Sequence, residues 1–157
     1  MLEKMNLIWQ DAKQLKDERG LTLVELLVVV VILGIIAAIA VVAIGGIIEN
    51  SKKDAMVADA KQMVSAAKIH TASSPLASGA TQTMEFVLPI TTGNIDGTKY
   101  VNKLQDPFGT NYSLANVTIS ESAGKYTYKV ALKGKKEFKK GTETVVTEEE
   151  IVKENIN

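Results

Sequence analysis

The sequence predicts an α+β fold: one long N-terminal α-helix, with a transmembrane half and an amphipathic half, packed on a small antiparallel β-sheet. Three observations carry this reading. Leu26 to Ile48 is an apolar run without a single charge. Beyond it, Met56, Ala60, Met63 and Ala67 recur at helical spacing, and Val64 widens the stripe. Toward the C-terminus, Tyr126, Tyr128, Val130 and Leu132 alternate with Thr127, Lys129 and Lys133, the period of a half-buried strand.

The first element is a charged leader, residues 1–20. Its Lys4, Lys13, Lys16 and Arg19 are balanced by Glu3, Asp11, Asp17 and Glu18. Leu7, Ile8 and Trp9 either rest on a membrane surface or belong to a disordered segment that is discarded. The second element, residues 21–48, contains the apolar run. As a helix, Leu26–Ile48 would be about 34 Å long at ~1.5 Å per residue, against a bilayer hydrocarbon core of ~30 Å. It therefore suffices to span. A cleaved secretory signal would carry an apolar core of only ~7–15 residues and a small-x-small cleavage site. Lys52, Lys53, Lys61 and Lys68 beyond the run match the four basic residues before it, so charge alone does not set orientation.

Glu25 stands at the edge of this run. A charge at mid-bilayer costs roughly 2.5–3.5 kcal/mol on insertion scales, and less near an interface. Two readings follow. Glu25 lies in the headgroup layer, or it awaits a cationic partner inside the apolar phase. A cut after Gly20 would create such a cation, the new amino group of Leu21, at a similar depth.

The string Gly20-Leu21-Thr22-Leu23-Val24-Glu25-Leu26-Leu27-Val28-Val29 resembles the prepilin processing signal of type IV pilins and the related pseudopilins. The resemblance implies cleavage after Gly20 by a prepilin peptidase, methylation of the new N-terminus at Leu21, and an assembly role for Glu25, paired with the N-terminal amine of a neighbouring subunit. It also implies a cytoplasmic leader and a C-terminal domain outside the membrane. It implies a homo-oligomeric helical filament, built by an assembly platform and its ATPase and displayed at the cell surface. Family members usually carry phenylalanine where this chain has Leu21. Many also have a helix proline where this chain has Val42.

The third element, residues 49–74, continues the helix, which is expected from about Thr22 to Ala72 and stopped by Ser73-Ser74-Pro75. The Met56–Ala67 stripe is either a coiled-coil seam between subunits or the face that receives the C-terminal domain. Gly34 and Ala38 give a small-xxx-small face suited to close helix contact in assembly. Gly45 and Gly46 lend either flexibility or packing room.

The fourth element is a C-terminal domain, residues 75–157. Leu76 to Tyr100 reads as a mixed loop with a turn at Asn94–Gly97, followed by a short helical turn from Lys99 to Leu104. Asp106-Pro107-Phe108-Gly109-Thr110-Asn111-Tyr112 encodes a tight turn through Asp106, Pro107 and Gly109. It is similar to the Asp-Pro-Trp-Gly-Asn-x-Tyr turn of major pseudopilins of type II secretion, and related turns occur in pilins of Gram-positive bacteria. Those pseudopilins bind calcium in a nearby loop. Here the downstream aspartates are missing and no metal site is expected, which leaves Asp106 as a turn residue rather than a ligand. Strands are expected at Asn111–Ser120, Lys125–Lys133 and Thr142–Val146, with Ser122-Ala123-Gly124 as the hairpin connection. Thr147-Glu148-Glu149-Glu150 either caps a short C-terminal helix or frays. Lys133, Lys135, Lys136, Lys139 and Lys140 form either a solvated loop or a patch for DNA or another anionic surface.

Composition narrows the function classes. Eighteen acidic residues balance eighteen basic ones, so bulk charge does not favour nucleic acid. With no cysteine, thiolate zinc sites, disulfides and thiol nucleophiles are excluded. The single histidine, His70, has no triad pattern around it. The chain is therefore expected to be neither an enzyme nor a cofactor binder. Three functional readings remain. The first is a type IV pilus-like filament subunit, from a Gram-positive bacterium by its turn. The second is a pseudopilin of a competence (DNA-uptake) or type II secretion machine. The third is an uncleaved single-span membrane protein with a ligand-binding exposed domain.

Overall fold

The structure is a computed structural model. It describes residues 2–109 and 111–157, with side chains described for residues 3–11, 22–109 and 111–157. Helix α1 runs from Leu2 to Ser73. Strands follow in order: β1 (Thr81–Glu85), β2 (Ile95–Asp96), β3 (Leu114–Ser122), β4 (Lys125–Lys133) and β5 (Val146–Thr147). The chain divides into two compact units, residues 1–47 and 48–157.

The helix starts far upstream of the expected Thr22. Residues 2–20 contain no proline and no glycine before Gly20, and they are rich in Leu, Lys, Gln and Glu, all strong helix formers. In the first unit every described side chain from Thr22 to Ile39 is exposed. One candidate membrane span begins at Thr22, and none of its most apolar window is buried within the protein.

The second unit builds a core of its own. Met56, Ala60, Met63, Val64 and Ala67 of α1 are all buried, clustered with Met84, Val117, Ile119, Val130, Leu132 and Val146 of the sheet. The helical stripe thus receives the sheet of the same chain. Strand order is β2-β1-β3-β4-β5. Val117 pairs with Val130 in the central β3–β4 ladder, and Met84 pairs with Val117 across β1–β3. All three project into the core. The opposite face carries Thr81, Thr83, Thr118, Ser120, Thr127 and Lys129, so β3 and β4 alternate as their period requires, with Ala131 of β4 the buried exception on that face.

Several expectations are corrected here. The segment Leu76–Tyr100 is not all loop, since it contains β1 and β2. Thr81–Glu85 has a single buried residue, Met84, and becomes a strand by pairing with β3. Because β2 runs parallel to β1, the sheet is mixed rather than wholly antiparallel. The helical turn expected at Lys99–Leu104 forms instead as a 3-10 turn at Gly97–Lys99. Asp96 sets that start by accepting from the Thr98 backbone N–H at 3.1 Å. The β3 strand begins three residues later than expected, at Leu114, and runs to Ser122. The last strand shifts to Val146–Thr147, because Lys140 and Glu143 close a bridge of their own around Gly141.

The β3–β4 connection is a two-residue turn in which Ala123 (φ 51) and Gly124 (φ 80) both have positive φ. That is the backbone of a type I′ hairpin, whose twist suits the flanking strands. At the C-terminus the capped reading is the one realised. Glu148–Glu150 forms a 3-10 turn, with the Thr147 N–H donating to Glu150 Oε2 at 3.0 Å. The last residues pair with the chain rather than fray: Ile156 is buried, and Asn157 exchanges backbone hydrogen bonds with Glu137 at 3.1 Å each way.

Candidate functional site

The processing and assembly residues form a first group in one unit, and the structural turn at Asp106 a second in the other. Gly20 and Leu21 fall within α1, but their side chains lie outside the described residues. Glu25 follows one turn later. Its side chain is exposed and, among the described residues, it has no ion-pair partner. Around and after it the helix surface is aliphatic in every direction: Leu26, Leu27, Ile35, Ile36 and Ile39, which spread right round the helix at about 3.6 residues per turn, are all more than half exposed. At Gly34 an added Cβ would meet nothing within 4 Å, so this side of the helix is open to a close neighbour.

A surface helix of a soluble domain confines its apolar residues to one stripe, and one that is apolar all round belongs inside a core or a membrane. Each large aliphatic moved from water into an apolar phase contributes about 1.5–3 kcal/mol. A run with sixteen such residues between Leu26 and Ile48 cannot be a water-exposed surface at rest. Glu25, at the edge of this run, creates the opposite demand wherever it enters the apolar phase, because an ionised carboxylate there requires a cation.

The second group is the Asp106 turn. Asp106 is 2% exposed, yet neither carboxylate oxygen is idle. Oδ1 accepts from the Phe108 N–H at 2.9 Å and Oδ2 from the Lys135 N–H at 2.7 Å. The Asp106 carbonyl accepts from the Gly109 N–H at 3.2 Å, closing the turn. The carboxylate thus joins two loops 29 positions apart. This closeness requires glycine: a Cβ on Gly134 would lie 2.3 Å from Asp106 Oδ2, and one on Gly109 would lie 2.9 Å from it. Next to the turn, the Tyr112 hydroxyl donates to Asp59 Oδ2 on α1 at 2.8 Å. Burial and the neighbouring carboxylates push the Tyr112 phenol well above its usual range. Lys52 and Lys136 approach the Phe108 ring at 5.7 and 5.3 Å from its centroid. Sequence reasoning found the turn but not its partners. Nothing in the local pattern ties Asp106 to Gly134 or Tyr112 to Asp59.

A similar clamp holds the hairpin. Glu121 accepts from the backbone N–H groups of Gly79 and Gly124, both at 2.6 Å, and these bonds lower its carboxyl below the usual range. The lysine cluster is partly neutralised. Lys133 pairs with Glu137 at 3.4 Å, Lys136 with Glu49 at 2.9 Å, and Lys140 with Glu150. The Lys140 ammonium, with backbone and hydroxyl donors from Thr147, holds Glu150 at about 2. His70 Nδ1 lies 2.9 Å from the Tyr100 hydroxyl, at the end of the helix. No group of three metal-binding side chains occurs among the described residues.

One comparison with known proteins reaches the first group. A family model described as a prokaryotic N-terminal methylation motif matches residues 15–41. No curated protein and no solved structure matches the chain. The matched stretch brackets Gly20, Leu21, Glu25 and Gly34.

Proposed function

We propose that this chain, which carries a type IV pilin-like prepilin signal, is a structural subunit of a type IV pilus-like filament. The motif supports a type IV pilin-like or pseudopilin-like protein anchored in a membrane. On this reading the precursor is inserted through α1, with the leader on the cytoplasmic side and residues 75–157 outside. A prepilin peptidase cuts after Gly20 and the amine of Leu21 is methylated. An assembly platform and its ATPase then draw the subunit into a helical homo-oligomer.

The observation that carries the proposal is Glu25, an exposed carboxylate at the head of a helix segment that is apolar on all sides and buries nothing within its own chain. Packing such segments side by side satisfies both demands at once. The aliphatic surfaces cover one another, and each Glu25 meets the N-terminal amine of a neighbour at the depth where an unpaired charge is costly. Gly34 supplies a place for close approach.

Electron microscopy of intact cells with an antibody to residues 76–157 tests this reading. Labelled surface filaments are expected. Label confined to the membrane would leave the ligand-binding single-span alternative. A short periplasm-confined or wall-confined assembly would instead identify a pseudopilin.

A further inference from the structure

A cleft of about 630 Å³ opens beside β1 and β2, walled by Phe86, Leu88, Val101, Leu104 and Tyr112. Leu88 stands on its rim and is 71% exposed. Lys103 is its only cationic lining residue and has no ion-pair partner among the described residues. The cleft therefore has apolar walls interrupted by Thr98, Asn102 and Asn111, and carries one exposed cation, Lys103. The opposite edge of the sheet has the reverse character. Beside β5, Val145 and Val152 are exposed aliphatics. Glu149 and Glu154 flank Val152, are exposed, and likewise have no ion-pair partner among the described residues.

We propose that the cleft receives the β5 edge of a second copy of this chain, with Val152 entering it and a flanking glutamate reaching Lys103. The two edges are complementary. A self-pairing of cleft with cleft would set Lys103 against Lys103, and a pairing of ridge with ridge would set the unpaired Glu149 and Glu154 against their own copies, since Lys153 between Val152 and Glu154 is engaged by Asp54 at 3.5 Å. Only the cleft-to-ridge contact joins apolar to apolar and opposite charge to opposite charge. The two patches lie on opposite edges of one sheet, so the contact is heterologous: each copy gives one edge and offers the other. Repetition of such a contact builds a ring where its rotation closes and an open helical array where it does not, and the filament reading requires the second. The inference rests on the filament reading and adds a second, domain-level contact to the one made by the apolar helices.

The chain has no cysteine, so paired cysteines report contacts without background. The test is oxidative cross-linking of the full chain in its own cells, carrying Leu88→Cys and Val152→Cys together, with filaments followed by electron microscopy. The expected result is a ladder of covalent multimers from the double variant and none from either single variant. A dimer band from Leu88→Cys alone would show the cleft facing itself and overturn the proposal. Filaments of normal yield without a ladder would overturn the contact while leaving the filament reading intact. Absence of both, with the protein folded and in the membrane, would remove both. A charge test runs beside it: Lys103→Glu is expected to lose filament yield, and adding Glu149→Lys and Glu154→Lys to restore it. No loss from Lys103→Glu also contradicts the proposal.

Discussion

The two halves of α1 obey different rules. From Met56 to Ala67 the apolar residues occupy one stripe, and the sheet of the same chain covers them. From Leu26 to Ile39 they occupy every direction, and among the described residues nothing covers them. The first pattern is solved by folding. The second leaves a requirement that only a membrane or other copies can meet. The difference separates what each mutation should do: changes in the second unit should alter stability, and changes in the first should alter assembly.

The largest expected effect comes from Glu25→Ala. Filament yield should fall to near zero while membrane insertion and the melting temperature of the second unit stay unchanged. Quantifying sheared filaments alongside a thermal melt of the detergent-extracted protein checks this, and normal yield would remove Glu25 from the mechanism. Next is Phe138→Ala, which empties the site of a completely buried ring. It should cost about 3–5 kcal/mol of stability, read by denaturant unfolding, without blocking membrane insertion. A smaller loss of about 1–3 kcal/mol is expected from Asp106→Ala, which removes a buried carboxylate and leaves the part-buried N–H groups of Phe108 and Lys135 without their acceptor.

The hairpin offers a gain. Ala123 holds a left-handed conformation that costs an L-residue roughly 1–2 kcal/mol. Ala123→Asn should recover about 0.5–1 kcal/mol, because Asn-Gly is the favoured pair for this turn. The smallest effect is on pH dependence. Glu150 titrates at about 2 in the folded chain against an ordinary 4.5. Its folded value is depressed, so its contribution is present above pH 4.5 and is lost as the pH falls from there toward 2. Glu85 and Glu121 shift in the same direction. Glu150→Gln should therefore flatten the acid limb of the stability curve, and an unchanged limb would show that the Lys140 pair is screened away.

How much of this was legible in the sequence depends on the range of the interactions. Strand β4 is written in its own alternation, and the Met56–Ala67 stripe in its helical spacing, since both are local periodicities. Strands β1 and β2 are not legible. Thr81–Glu85 has one core residue and no aromatic or β-branched run beyond its threonines, and it exists because β3 offers a free edge. The tight turn at Asp106 shows in Asp-Pro-x-Gly, but its clamp on Lys135 crosses 29 residues and needs Gly134. No local pattern encodes that distance. The helical leader is the reverse case: its propensity is plain in residues 2–19, which lack proline and glycine, and the single Gly20 is too weak a breaker to end the helix. The junction of Gly20 and Glu25 is the most legible feature, because a carboxylate beside an uncharged run is conspicuous without any structure.

The central claim is that the first unit is completed by neighbours once the leader is gone. Intact-mass analysis of the protein extracted from membranes of cells with an active prepilin peptidase tests it most directly. The account predicts a chain that begins at Leu21 and carries one added methyl group. A chain that still begins at Met1 in those cells would contradict it.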